Sequence, residues 1–241
     1  TAIDSRAERQ GEGFVLNGSK SLVLNGMAAD VILVTAWLED TLALFAVPAD
    51  SAGLSREAFQ LMDGQAVANL RFDQLTLATD SLVCEPADSL ALIQRVIDEA
   101  TIAVAAQGLG AMETLLKATV EYSNTRKQFG QPIGKFQALQ HRMVDMYTAT
   151  QQCRSLLVRA LCSHSAGEPQ AAMDIAALKS MVGKLGRGVA EEAVQLHGGM
   201  GVTEELSVGD YLKRLMVIDS LFGDSAWQRR RFAELRYGDA A

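Results

Sequence analysis

Up to about residue 86 the apolar residues fall in short runs broken by turn-forming residues; beyond it they recur every three or four positions to the end of the chain. The first pattern predicts strands and the second predicts helices. "GFVLNGSKSLVL" is two short apolar runs around Asn17-Gly18, and both turn positions tolerate a positive φ, so a hairpin is predicted there. "ADVILVTAWL" and "TLALFAVPAD" read as further strands. A second turn signal, Asp63-Gly64, precedes "VANLRFDQLTL", where Leu70, Phe72 and Leu75 supply apolar contacts. Residues 1–86 are therefore expected to form a small antiparallel β-barrel or sandwich.

Pro86 and Asp88 mark the change. Asp88 reads as the N-cap of a helix reaching about Ser123, and "ATIAVAAQGLGAM" within it is apolar on nearly every side, which predicts a central position. A second helix runs through "FQALQHRMVDMYTATQQCRSLLVRALCSH" and ends before Gly167. Pro169 is placed to open a third, whose core stripe is Ile175, Leu178, Val182, Leu185, Val189 and Leu196, and which stops at "HGGMG". A shorter run around "YLKRLM" follows. Gly223 then breaks the chain, and Asp224 caps the last helix, "SAWQRRRFAEL". The fold class is α+β, with an antiparallel four-helix bundle over residues 87–241.

Composition narrows the function classes. With 49% hydrophobic and 21% charged residues the chain reads as soluble and globular, and no stretch is long enough to cross a bilayer. A net charge of −7 speaks against a nucleic-acid surface, and the Arg229–Arg231 run reads as a solvated helix face. Cys84, Cys153 and Cys162 have no paired spacing, as in a reducing compartment, so a cytoplasmic location is expected. His141, His164 and His197 lack ligand spacing, so no metal site is expected. The first residue is Thr1, just ahead of a strand, and the chain is expected to be a fragment.

Two stretches between bundle helices carry candidate chemistry: "TRKQFGQPIGKFQALQHRMVDM" and "QLHGGMG". Taken alone, Gly-Gly-x-Gly after a helix is usually a C-cap, and "RKQFG" can be read as an ordinary polar loop with a buried Phe. A glycine loop also lets a phosphate approach the backbone closely, and Arg126 can hold such a group bidentately. That combination would suit a dinucleotide laid across helix ends.

The order of "YSNTRKQFGQPIGKFQALQHRMVDM", "QLHGGMG" and a Gly followed by "xQR" near the C-terminus resembles the acyl-CoA dehydrogenase family. "GEGFVLNGSKSLVLNGMAADVILVTA" is similar to its middle β-domain, so the resemblance covers essentially the whole chain, and the part expected to be missing is the family's N-terminal helical domain. The resemblance implies a flavoprotein that holds FAD across a subunit interface and oxidises the α,β-bond of an acyl-CoA thioester. It implies partners of the same type in a homo- or hetero-oligomer. Carried over, Arg126, Gln128, Phe129, Gln137, Gln195, Gly198 and Gly199 would reach the neighbouring subunit's FAD. Asp224, Ser225 and Ala226 would contact the cofactor too.

Three departures stand against that match. The family's "IYEGTS" is "SLFGDS" here, so with no gap back to Gln195 the catalytic glutamate falls on Phe222. A phenyl ring has no lone pair with which to take the α-proton. The family's "KxWITNG" is "KSLVLNG", so Leu22 and Leu24 replace a packing Trp and a hydrogen-bond donor. Where some members place the base near a "DxxR" that contacts the CoA chain, "IDEAT" keeps Asp98 for substrate binding, replaces the Arg with Thr101 and puts Ala100 at the base position. Glu99 is adjacent, but one residue along a helix turns a side chain by about 100°. Asp219 is displaced from the expected place by about a helical turn.

Three readings stay open at this point. In the first, this is a subunit without a base that completes a partner's FAD site, as the resemblance to two-subunit steroid side-chain dehydrogenases implies. In the second, it is a self-sufficient dehydrogenase with its base at Glu99 or in a missing N-terminal part. In the third, it is a helical assembly module that binds no flavin.

Overall fold

Alternation does build the first part of the chain as strands, paired otherwise than the turn signals imply. The computed structural model describes residues 3–238 and divides after Val96 into two compact units. In the first, strands β1 (Arg6–Gln10), β2 (Gly13–Leu24), β3 (Val31–Leu38), β4 (Thr41–Pro48), β5 (Leu54–Gln60) and β6 (Ala66–Ala78) form one sheet in the order β4-β3-β1-β2-β6-β5. Every pair is antiparallel except β1 with β3, which run parallel through Arg6↔Trp37 and Ala7↔Leu38. The expected antiparallel barrel or sandwich is thus corrected to a single mixed sheet whose end strands, β4 and β5, do not pair with each other. Phe14, Leu16, Phe45, Leu70 and Leu75 are fully buried at its core, with Phe14 edge-on to Phe45 at 5.1 Å between centroids.

Asn17-Gly18 is not a hairpin turn. The turn lies at Gly11-Glu12, and β2 runs straight through Asn17-Gly18 with a register shift against β6 between Leu16 and Gly18. The bulge uses both residues. Gly18 sits at φ +128°, where a Cβ would come 2.6 Å from Ser5 Cα, and Asn17 Oδ1 accepts from the Gln74 backbone N–H at 2.8 Å. Asp63-Gly64 does turn the chain between β5 and β6, with Gly64 at φ +82°.

Helix α1 (Pro86–Thr125) begins at its proline, so Asp88 lies in the first turn and is not the cap. Helix α2 (Gln137–Ser165) ends ahead of Gly167 as expected, and α3 (Ala171–His197) starts two residues after Pro169. Two 13-residue helices, α4 (Val208–Ser220) and α5 (Ser225–Tyr237), complete the second unit where the "YLKRLM" run and the "SAWQRRRFAEL" helix are expected. The hub is α3, which packs against α2, α4 and α5. Its predicted stripe is buried at Ile175, Leu178, Val182, Val189 and Leu196, with Leu185 half-buried. Small residues let the helices approach: a Cβ on Gly108 of α1 would lie 2.7 Å from Val182 Cγ1.

Candidate functional site

Two helix ends make the most developed site. After α1, the Arg126 N–H closes the last turn onto the Tyr122 carbonyl at 2.8 Å. The chain then forms a minimal hairpin, β7 (Lys127–Gln128) against β8 (Gln131–Pro132), with Phe129 and Gly130 both at positive φ at its tip. The Ile133 N–H returns to the Arg126 carbonyl at 2.8 Å and ties the loop shut. On the other side, α3 stops where Gly198 takes φ +60°, and a 3-10 turn (Gly198–Val202) follows. Gly201 lets that turn fold back, since a Cβ there would meet the Val194 carbonyl at 2.5 Å.

His197 joins the two ends. Its Nδ1 pairs with the Ala193 carbonyl at 2.8 Å, and its ring stacks on Tyr122 with centroids 4.5 Å apart. The stack brings Arg126 and Gln128 to Gly198 and Gly199 around a groove of about 550 Å³. Neither His197 nor Tyr122 was singled out for this role from sequence. The readable signal was an aromatic residue in the last turn of each helix, just ahead of each motif. Phe129, Gln137 and Gln195 lie outside the groove lining: Phe129 stands 92% exposed at the hairpin tip, and the two glutamines are exposed at helix ends.

The groove fits the phosphate-bearing part of a dinucleotide. Open space lies where a Cβ on Gly198 or Gly199 would stand, so a ligand can reach the backbone. Among the described residues no hydrogen bond or ion pair engages the Arg126 guanidinium. Both features suit an anion.

The bend between α4 and α5 holds the second cluster. Phe222 adopts φ +54° and packs on the apolar core of its unit. Its carbonyl accepts from the fully buried Gln228 Nε2 at 2.7 Å. Asp224 caps α5 as expected, its carboxylate accepting from the Trp227 N–H at 2.7 Å. Asp219 caps it as well, accepting from the Ser225 N–H at 3.0 Å. Ala226 is exposed on the first turn. Burial pushes the Lys179 ammonium beneath this bend down to about 8, partly opposed by the Asp219 and Asp224 carboxylates.

Asp98 is engaged. Its carboxylate meets Arg231 of α5 at 2.9 Å, each side chain 13% exposed, so Arg231 is no part of a solvated arginine face; Arg229 and Arg230 are exposed. Thr101 turns inward and donates to the Ile97 carbonyl at 2.7 Å. Glu99 points outward, 3.9 Å from His164 Nε2. In the first unit Leu22 is exposed at φ +53°, its N–H on Asn69 Oδ1 at 3.0 Å, and Leu24 is half-buried. Cys84, Cys153 and Cys162 are free thiols. Among the described residues no helix is long and apolar enough to cross a membrane.

The profile of the acyl-CoA dehydrogenase C-terminal domain matches residues 90–235, a stretch that holds both helix-end motifs and the α4–α5 bend. The chain belongs to the acyl-CoA dehydrogenase family. It is 30% identical over 209 residues to the short-chain specific acyl-CoA dehydrogenase of Megasphaera elsdenii, covering 83% of this chain and 54% of that protein. To the mitochondrial short-chain specific enzyme of Homo sapiens it is 28% identical over 239 residues, 95% of this chain and 57% of that protein. It thus spans little more than half the length of these relatives. The solved Tcur3481–Tcur3483 steroid ACAD superposes with a TM-score of 0.87 at 29% identity, over 100% of this chain and 64% of that one. The matched stretch includes position 222, which is a phenylalanine in this chain.

Proposed function

We propose that this chain acts as an acyl-CoA dehydrogenase-family subunit that lends a FAD-cradling half-site to a neighbouring subunit while supplying no proton acceptor at position 222. The groove carries the reading: Arg126, Gln128, Gly198 and Gly199 surround it, and neither glycine has a neighbour where a side chain would stand. FAD, when bound, supplies the hydride acceptor for α,β-dehydrogenation of an acyl-CoA thioester. Arg126 would hold a phosphate oxygen, and the bare backbone at Gly198 and Gly199 would let it come close. Phe222 can exclude water at the bend but cannot take the α-proton. Glu99 is exposed against His164, which supports a base supplied by another subunit. The family resemblance of Asp224, Ser225 and Ala226 to cofactor contacts, and of Asp98 to a CoA contact, belongs to the same proposal, as do the oligomer, the cytoplasmic location and the division into a middle β-domain (1–86) and a C-terminal helical domain (87–241).

Purification from the native source tests it. A second, related chain carrying Glu at the place of Phe222 is expected to accompany this one. This chain alone is expected to show little acyl-CoA-dependent dye reduction, and Arg126→Gln is expected to weaken flavin retention by the assembly roughly tenfold or more, the loss of one charge-assisted contact. Robust turnover by the lone chain overturns the reading.

A further inference from the structure

Lys179 lies about a third of the way along α3 with none of its side chain exposed. Its Nζ donates to the Asp219 carbonyl at 2.8 Å and to the Gly223 carbonyl at 2.9 Å. The first oxygen belongs to the last turn of α4 and the second immediately precedes the α5 cap. One cation therefore ties both ends of the same bend.

The surroundings are arranged for this grip. Gly183, one turn further along α3, leaves the room that the Asp219 carboxylate occupies; a Cβ there would collide with it. Ser180 Oγ donates to the Ser225 carbonyl at 2.9 Å. With the Gln228 bond to the Phe222 carbonyl, the bend is held from α3 and from α5. None of these bonds uses the side chain of residue 222.

We propose that Lys179 is a positioning residue: it clasps the Asp219–Gly223 bend so that residue 222 and the first turn of α5 keep one fixed direction, whatever side chain position 222 carries. The energetics call for such a role. Burying an ammonium is costly unless it is well paired, and an apolar side chain of similar volume would fill the same space without that cost. Holding a non-glycine residue at φ +54° adds backbone strain, which persists only where the surroundings over-determine the backbone. The clasp supplies that over-determination. It concerns the helical unit alone and stands whether or not the groove holds FAD.

Hydrogen exchange with Lys179→Met, which keeps the volume and removes the cation, tests the clasp. Amides of residues 220–228 are expected to exchange about tenfold faster or more, those of α2 to stay unchanged, and Lys179→Arg to recover most of the protection. Lys184→Met, on the exposed side of α3, is the control and should change nothing. Unaltered exchange at the bend in Lys179→Met, or an increase spread evenly over α3, overturns the proposal. Should the Met variant fail to fold, amine acetylation of the unmodified protein decides. Lys179 is expected to label at least about tenfold more slowly than Lys184 and in step with opening of the bend amides. Labelling that follows only global unfolding, while the bend exchanges on its own, overturns it equally.

Discussion

The Asp98–Arg231 pair offers a quantitative test of how α1 and α5 are held. Asp98 Oδ1 and Arg231 Nη2 lie 2.9 Å apart with both side chains 13% exposed, and among the described residues Arg231 Nη1 is buried with no partner of its own. The guanidinium also lies 5.9 Å from the Trp227 ring centroid. Asp98→Ala removes the counter-ion from a cation that cannot reach water without moving α5. An unpaired buried charge of this kind costs about 3–5 kcal/mol. At roughly 2–4 °C per kcal/mol for a chain of this size, the melting temperature should fall by about 6–20 °C. Arg231→Met should cost less, because Asp98 keeps other interactions. The double variant Asp98→Ala/Arg231→Met removes both charges and should lie within about 2 kcal/mol of the unmodified protein. Urea unfolding followed by far-UV circular dichroism measures all four corners of the cycle. Additive losses, or an Asp98→Ala variant within about 1 kcal/mol of the parent, would show that the pair is effectively solvated and that the burial argument fails.

Other outcomes follow from single contacts. Asp224→Ala loses the bond to the Trp227 N–H and should destabilise α5 by about 1 kcal/mol, read as faster exchange in its first turn. Gly201→Ala places a methyl against the Val194 carbonyl and should cost about 1–3 kcal/mol by displacing the turn that carries Gly198 and Gly199, visible as a lower melting temperature. Lys179 titrates near 8 when folded against 10.5 ordinarily, so the unfolded chain binds its proton more tightly. Its contribution to stability is therefore fully present above about pH 10.5 and is lost as pH falls through 8. The swing is at most about 3 kcal/mol, and it should vanish in Lys179→Met when denaturant midpoints are compared across that window.

What could be read in advance was mostly what is local. The caps at Asp224 and Gly198 and the stop before Gly167 are set by the chemistry of a few consecutive residues, and they fall where the pattern places them. Asn17-Gly18 has the same local signature as a turn, yet β2 gains more by pairing with β6 along its length, and the dipeptide becomes a bulge. The parallel contact of β1 with β3 depends on register between distant segments, which no window of sequence contains. Arg231 looked solvated because its neighbours are; only the position of Asp98 on another helix makes it a buried partner.

On the proposed function, the same distinction explains how a cofactor groove can persist in a chain with a phenylalanine at position 222. At Gly198 and Gly199 the cradle is backbone with nothing over it, so it survives any drift that adds no Cβ, provided Tyr122 and His197 keep the helix ends together. The α4–α5 bend is likewise held through carbonyls, a lysine and two capping carboxylates that are indifferent to the side chain of residue 222. A proton acceptor, by contrast, is one side chain, and a single substitution removes it without loosening any of these bonds. On that proposal, losing a base would be structurally cheap while losing the groove would not. Selection for the groove alone, as in a subunit serving another's cofactor, would leave the pattern seen here: bare glycines and an arginine unpaired among the described residues at one helix end, and an apolar ring on an intact seat at the other.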